Sequence, residues 1–321
     1  MPETSSKPSS ICLIRLWYGK YPPYLDCVLR SCAGNPDIHW LVISDNPVPP
    51  RAPANVRFHH LTPEDLRRRF TEKLGFEPTP PESNTDLKAA LGFVFEDLLA
   101  GYDFWGQCDF DMIFGDLRKF LREDILAVHD KILSRGHLTI YRNTAKVNRA
   151  FMLECPGALD YREVFKTVGT TQFDEMRGVN LIFRHHGIPQ FHGEFIVDIK
   201  PPTRWKITRF EGIAIRNQPR QVFYWHKGKV FHAYFNCDRD LVDDEYAYLH
   251  FQKRPLPAPQ FDPFATDGFL ITPDGFSPYH REALTDADFA RHNRERWRPK
   301  HEILRTLGRG VGKRVGLIPR D

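Results

Sequence analysis

The sequence predicts an α/β fold in which helices flank a mixed, mostly parallel sheet. Two near-continuous apolar runs, at residues 10–17 and 38–44, lack the polar alternation of a half-exposed strand and are typical of strands buried on both faces. The elements follow in the order strand, helix, strand, strand, helix, which favours parallel strands joined by helical connections. With 321 residues, of which 41% are hydrophobic, the chain is long enough for one domain of roughly 250 residues and a tail.

Turn-forming Gly, Pro and Asn residues separate the first predicted elements. These elements are strands at residues 10–17, 38–44 and 56–60 and helices at residues 24–32 and 63–74. Thr62 and Pro63 are typical of a helix start, because the threonine side chain can cap the helix and proline suits the first helical position.

The second part of the chain alternates apolar and amphipathic segments in the same way. We predict helices at residues 88–99, 145–152 and 161–167, strands at residues 138–142, 195–199, 207–210 and 246–252, and a hairpin at residues 221–235. Beyond Pro255 the chain is Pro-rich and irregular to about residue 278, and helices are expected at residues 286–294 and 301–307. We therefore predict one folded domain over residues 1–255, then a Pro-rich linker and a basic, partly helical tail over residues 256–321.

The most informative segment is residues 104–116, a buried strand that is expected to end near Gly106 and to be followed by Asp109 and Asp111. In an extended segment alternate residues point the same way, so both carboxylates can face one ion. Oxygen ligands with an incomplete protein shell suit Mg²⁺ or Mn²⁺ when substrate phosphates complete the coordination. The alternative is a surface loop with solvated aspartates, but the aromatic flanks are too apolar for one.

Other polar residues follow predicted strands. Tyr18 and Asp45 follow the first two strands, and the carboxyl ends of parallel strands are where ligands collect, so one nucleotide-sized ligand can touch both of them and Asp109. Asp45 also fits a simple turn before Asn46. His250 lies between aromatic residues in the strand predicted at residues 246–252, which suits a core histidine as well as a ligand, and Lys253 directly after that strand makes an anion site plausible.

Composition excludes several classes of protein. The chain has no apolar leader segment and no uninterrupted apolar run near the roughly 18 residues of a membrane span. Its six cysteines form no C-x-x-C pair, which favours free thiols in a reducing compartment. We therefore expect a cytoplasmic protein that is neither exported nor membrane-spanning.

The basic charge belongs to the tail. Residues 291–321 carry a balance of +7, although the whole chain has a net charge of only +4. Apolar residues are mixed with these bases, which suits peripheral attachment to an anionic inner membrane surface. The alternative is a tail that is solvated or packed on the domain. Stacking aromatics are rare there, so nucleic acid is not expected as a partner. Co-sedimentation with anionic liposomes tests this expectation, since a chain truncated after Ala290 should no longer pellet.

Residues 103–116 resemble a motif of the GT-A type glycosyltransferases, and in particular that of small bacterial capsule and lipopolysaccharide sugar transferases, D-F-W-G-x-C-D-x-D-x-x-x-G-D. A looser similarity covers residues 11–45, 86–96 and 248–255. The resemblance implies a GT-A-like, Rossmann-like catalytic domain, and hence a catalytic role for the domain over residues 1–255.

The resemblance also implies roles for single residues. In such enzymes the D-x-D pair holds Mn²⁺ or Mg²⁺ at the donor diphosphate, which by resemblance assigns this role to Asp109 and Asp111. The resemblance also implies that His250 is a further metal ligand. Lys253 and Lys88 contact the donor phosphates. By the same resemblance Asp174 and Glu175 occupy the place where the transferred sugar binds, and we expect them, together with Lys253, to be catalytic residues.

The sequence therefore predicts a metal-dependent hexosyltransferase that moves a sugar from a nucleotide-diphosphate donor, UDP-linked in our interpretation, to a glycan or lipid-linked acceptor in surface polysaccharide biosynthesis. The resemblance of the segment around His250 to that of retaining members implies a retaining outcome. Two alternatives are a D-x-D phosphatase with an aspartate nucleophile and a non-catalytic nucleotide- or sugar-binding protein. The residues after Asp111 do not match the phosphatase pattern.

Overall fold

The computed structural model of the protein describes residues 7–82, 84–199, 205–208, 217–218, 221–236, 240–252 and 254–280, together with residues 238, 284 and 289. The helices predicted at residues 286–294 and 301–307, and the basic tail, lie outside these residues apart from residue 289. Among the described residues, no helix combines the length and the apolar character that crossing a membrane requires.

The described chain contains the following strands: β1 Ile11–Leu16, β2 Ile38–Ser44, β3 Val56–His60, β4 Phe104–Cys108, β5 Met112–Phe114, β6 Lys131–Arg135, β7 Leu138–Arg142, β8 Gln190–Phe191, β9 Ile196–Asp198, β10 Gln221–His226, β11 Lys229–Phe235, β12 Leu241–Tyr246, β13 Tyr248–His250, β14 Gly268–Thr272 and β15 Gly275–Pro278. It contains the following helices: α1 Leu25–Ala33, α2 Pro63–Leu74, α3 Leu91–Val94, α4 Leu117–Phe120, α5 Glu123–Val128, α6 Ala145–Asn148, α7 Tyr161–Lys166 and α8 Val179–His185, with 3-10 turns at Thr85–Ala90 and Ala150–Met152.

The main sheet has seven strands in the order β3-β2-β1-β4-β7-β6-β8. Strands β3, β2, β1 and β4 run parallel, β7 is antiparallel to both β4 and β6, and β6 is parallel to β8. Alternate residues of β1 enter different cores: Leu13 packs in a cluster with α1, and Ile14 in a cluster with α2 and α8. The predicted α/β class with a mostly parallel, helix-flanked sheet is confirmed.

Two smaller sheets complete the fold. Strands β12-β11-β10-β14-β15 form an antiparallel sheet, and β5-β13-β9 form a three-stranded sheet. The hairpin predicted at residues 221–235 is formed by β10 and β11, which turn at Lys227 and Gly228. By contrast, the irregular structure predicted from Pro255 to residue 278 is wrong, because β14 and β15 pair with each other and β14 pairs with β10. Buried Phe269 and Ile271 join the main core, and this contact stabilises strands that the Pro-rich surroundings conceal.

The single helix predicted at residues 88–99 is also wrong. The segment begins as a 3-10 turn, Thr85–Ala90, continues as the short helix α3 and then ends in turns. Gly92 packs so closely on the indole of Trp105 that an added Cβ would lie 2.1 Å from Cε2 of that ring. This close packing on β4 overrides the helical pattern of the sequence.

A buried histidine in the antiparallel sheet makes stability depend on pH. His232 in β11 places Nε2 3.0 Å from Gln221 Oε1, stacks on Phe223 and lies opposite Asp244 in register. Burial lowers the pKa of His232 to about 4. The folded protein therefore keeps this imidazole neutral at pH values where the unfolded chain binds a proton.

We expect the contribution of His232 to stability to be complete above pH 6.5 and to decline as the pH falls towards 4, because protons then favour the unfolded chain. The loss should reach about 3 kcal/mol at pH 4. The variant His232→Gln keeps an N–H donor but does not titrate, so its stability should fall less over the same range. Urea unfolding at pH 7 and pH 4 measures both proteins. Equal losses in the two would contradict the prediction.

Candidate active site

Asp109 lies in the turn between β4 and β5, at the carboxyl end of the parallel part of the main sheet. Its Oδ1 accepts hydrogen bonds from Arg15 Nη1 at 2.5 Å and from Lys88 Nζ at 2.8 Å. Burial raises the pKa of the carboxyl group, but the two cations, Lys88 first, more than offset this and hold the pKa of Asp109 below its ordinary value. Asp109 is therefore an anion at neutral pH.

Asp111 and His250 meet because β5 and β13 pair. The antiparallel register places His250 opposite Met112, next to Asp111, and the backbone N–H of Phe251 donates to the Asp111 carbonyl at 2.9 Å. His250 Nε2 lies 3.5 Å from Asp111 Oδ2, and both side chains are buried. A contact across 139 residues of sequence thus depends on one pair of short strands.

Asp198 in β9 fixes the orientation of the His250 ring. The parallel register of β9 and β13 pairs these two residues, and His250 Nδ1 donates to Asp198 Oδ1 at 2.7 Å. Gln252 Nε2 donates to both carboxylate oxygens of Asp198 at 2.8 Å. Because Nδ1 is engaged, the ring presents Nε2 to Asp111. Burial alone lowers the pKa of His250, but Asp111 and Asp198 together raise it to about 10.

The residues present fit a divalent cation. Carboxylate oxygens of Asp109 and Asp111 and a ring nitrogen of His250 lie within 4.8 Å of one another. Carboxylates suit Mg²⁺ and Mn²⁺, and imidazole is a common ligand of the first-row transition metals, so Mn²⁺ satisfies both types. Ligation by Nε2 requires a neutral imidazole, so a bound cation would replace the ring proton.

A second group of the same size, His137, Asp198 and His250, also lies within this distance. The rings of His137 and His250 stack with centroids 4.3 Å apart and an interplanar angle of 24°, and His137 Nδ1 lies 3.1 Å from the Tyr248 hydroxyl. In this second group His250 Nδ1 and Asp198 Oδ1 are already hydrogen-bonded to each other, which engages both atoms. We interpret His137 as a support for the His250 ring.

Lys88 connects Asp109 to a second acidic pair. Its Nζ also donates to the Gly136 carbonyl at 2.9 Å, and the Gly136 N–H donates to Glu175 Oε1 at 2.5 Å. An added Cβ at Gly136 would lie 2.6 Å from Asp174 Oδ2, so this carboxylate also reaches the β6–β7 turn. Burial raises the pKa of Asp174 to about 7. The structure thus brings Lys88, Asp174 and Glu175 to the carboxylates predicted for the metal.

Tyr18 and Asp45, which the sequence predicts near the ligand, lie at the same edge of the sheet. Neither contacts Asp109 in the part of the chain that the structure describes. Tyr18 follows β1 and donates its hydroxyl hydrogen to the Leu61 carbonyl at 3.0 Å, while Asp45 is exposed in the turn after β2. Burial, and then Asp45, raises the pKa of Tyr18 above its ordinary value. Lys253 lies outside the described residues.

A cavity of about 90 Å³ is lined in part by the two cations that contact Asp109. Its lining includes Arg15, Lys88, Gln107 and Glu82 from β1, β4 and the segment before α3. The side chains of Arg15 and Lys88 thus contact Asp109 and also line a space that accepts a small polar group.

Sequence reasoning missed Arg15, Asp198, His137 and Gly136. Arg15 and Asp198 carried a usable signal, because each is a single charged residue inside an otherwise apolar strand. His137 and Gly136 carried none, since their roles depend on a turn whose partners are distant in sequence.

The chain was compared with family models, curated proteins and solved structures. A family model described as "Family of unknown function (DUF6625)" matches residues 13–280. No curated protein matches the sequence. Two solved structures of the galactosyltransferase LgtC are similar, one in complex with donor and acceptor sugar analogs and one of an active-site mutant. Each is 14% identical to this chain and covers 59% of it and 75% of LgtC, with TM-scores of 0.36 and 0.35. Because the family model spans well over half of the sequence, the chain belongs to the family described as "Family of unknown function (DUF6625)".

Proposed function

We propose that this protein is a metal-dependent glycosyltransferase that moves a hexose from a nucleotide-diphosphate donor to a hydroxyl group of an acceptor. The observation that supports this proposal most directly is the convergence of Asp109, Asp111 and His250, with ligand atoms within 4.8 Å of one another. They lie beyond the carboxyl end of the parallel strands, where α/β sheets bind ligands.

The charges around this group suit a diphosphate. Lys88 and Arg15 both approach Asp109, and both line the neighbouring cavity. Lys88 would stabilise the negative charge that develops on the leaving diphosphate. We propose the same role for Lys253. A bound Mn²⁺ or Mg²⁺ would act as a Lewis acid that neutralises the leaving group.

The acidic pair Asp174 and Glu175 is proposed to bind the transferred sugar. Asp174 is 4% exposed and Glu175 accepts the Gly136 N–H, so both are held beside Lys88. Carboxylates are suitable acceptors for sugar hydroxyl groups because they offer several lone pairs. The base and ribose of the donor are proposed to lie near Tyr18 and Asp45.

The finer assignments stay proposals as well. We propose a UDP-linked donor, a retaining outcome, a glycan or lipid-linked acceptor of surface polysaccharide biosynthesis, and a cytoplasmic enzyme that attaches to the inner membrane surface through residues 291–321. The basic balance of that tail supports the last of these.

A thermal-shift screen of nucleotide sugars, with and without Mn²⁺, tests the proposal. A donor that stabilises the protein only when the metal is present should then show metal-dependent release of nucleoside diphosphate. Release of inorganic phosphate from phosphomonoesters would instead indicate a phosphatase. Binding of a donor without any release or transfer would indicate a binding protein, and either result would overturn the proposal.

A further inference from the structure

Asp86 is a buried carboxylate without a role in the proposed reaction. It lies in the 3-10 turn Thr85–Ala90 and is completely buried. Its Oδ2 accepts the backbone N–H of Thr171 at 2.6 Å, and its Oδ1 accepts that of Phe173 at 2.8 Å. Both oxygens are therefore directed at the segment that immediately precedes Asp174.

These contacts are not needed to begin the turn that carries Asp86. The side chain of Asn84 already caps that turn, because its Oδ1 accepts the Asp86 N–H at 2.9 Å. A buried carboxylate is costly unless hydrogen bonds offset its desolvation, and bonds to an ionised acceptor are among the strong ones. The free energy gained from the two bonds therefore fixes the distant segment to this turn.

The segment that Asp86 holds is not regular. Gln172, between the two bonded amides, has φ 65°, a left-handed conformation that non-glycine residues seldom adopt. Phe173 is buried against Phe165, and the Val179 N–H donates to the Phe173 carbonyl at 2.7 Å. A backbone of this kind persists only where its surroundings determine it.

Lys88 lies two residues after Asp86 in the same 3-10 turn and reaches Asp109 and Gly136. One short element therefore contacts both the metal-ligand candidate Asp109 and the segment with Asp174 and Glu175. We propose that Asp86 is a positioning residue that sets the Asp174–Glu175 pair in register with Lys88 and Asp109, and so orients the sugar moiety of the donor. The part that concerns the sugar rests on the proposed function.

Amide hydrogen exchange tests the positioning contact without any substrate. In Asp86→Ala, the amides of Thr171 and Phe173 should exchange at least about tenfold faster than in the wild type, since each loses its acceptor. Asp86→Asn retains one carbonyl oxygen and should give a smaller increase. The control is Asp262→Asn, because Asp262 also accepts a backbone amide, that of Phe264, in the loop before β14. It should leave residues 169–178 unchanged.

Kinetics test the consequence for the sugar. A misplacement of about 1 Å can cost roughly a hundredfold in rate, so kcat should fall by about that factor in Asp86→Ala and less in Asp86→Asn. The affinity for nucleoside diphosphate in the presence of Mn²⁺ should stay unchanged, because the residues proposed to contact the diphosphate and the metal ion do not include Asp86. If Asp86 only supported the fold, Asp86→Ala would have a lower melting temperature and would bind both the donor and the nucleoside diphosphate more weakly.

Several outcomes separate this inference from the proposed function. Unchanged exchange at Thr171 and Phe173 in both Asp86 variants would overturn the inference even if sugar transfer is found. Faster exchange with normal kcat would show that the contact exists but does not position the sugar, which would also overturn it. If no donor is turned over by the wild type, the proposed function fails, and the exchange result still decides whether Asp86 holds the segment.

Discussion

Asp111→Asn should reduce metal-dependent sugar transfer by roughly a hundred- to thousandfold. Loss of one ligand weakens the binding of a metal ion whose Lewis acidity stabilises the transition state by several kcal/mol. Asparagine has the same shape as aspartate, so the antiparallel pairing of β5 with β13 should persist. Steady-state transfer at saturating donor, over a series of Mn²⁺ concentrations, measures the effect. High metal concentrations should restore part of the rate.

The matched control is Asp124→Asn, which removes an exposed carboxylate paired with Arg122. This variant should transfer sugar at the wild-type rate. Near wild-type activity of Asp111→Asn at low Mn²⁺, with an intact fold by circular dichroism, would show that Asp111 does not hold the ion.

His250→Ala should weaken Mn²⁺ binding by about a hundredfold or more, since losing an outer partner of a metal ligand already costs roughly 10- to 100-fold. Asp198→Asn should lower the affinity for Mn²⁺ about tenfold. The amide oxygen of asparagine still accepts a hydrogen bond from His250 Nδ1, but this bond is weaker because the acceptor is no longer charged. Calorimetric titration with Mn²⁺ measures both variants.

His232→Gln is the control for removing a buried histidine. His232 lies in the antiparallel sheet β12-β11-β10-β14-β15, and the ligand candidates lie at the main sheet and at β13. Its metal affinity should equal that of the wild type. If His250→Ala binds Mn²⁺ with unchanged affinity but melts at a lower temperature, His250 is a core residue and the metal assignment fails for it.

The elements that the sequence predicts well are those whose pattern is local. Strands β2 and β3 match their predicted bounds, and the cap of α2 is formed as expected, with Thr62 Oγ1 accepting the Asp65 N–H at 3.1 Å. Apolar runs and caps depend on neighbours in sequence, so they can be read directly. β12 was missed because acidic residues interrupt it; its pairing with β11 decides its conformation.

The site divides in the same way. Asp109 and Asp111 stand out in the sequence as a carboxylate pair between apolar residues, and the family resemblance indicates Lys88, Asp174 and Glu175. Their grouping in the structure depends on the Gly136 turn, which no local pattern marks. Whether these residues act as proposed stays a prediction.

By itself the sequence determined the α/β class, the parallel strands and the position of Asp109 and Asp111 beyond β4, because burial and strand periodicity leave a local record. Only the tertiary structure decided that His250 meets Asp111, that Asp198 orients its ring and that Asp86 holds the segment before Asp174. These contacts join residues 52 to 139 positions apart, and they depend on strand register and on the satisfaction of buried polar groups. Neither leaves a periodic signal in the chain.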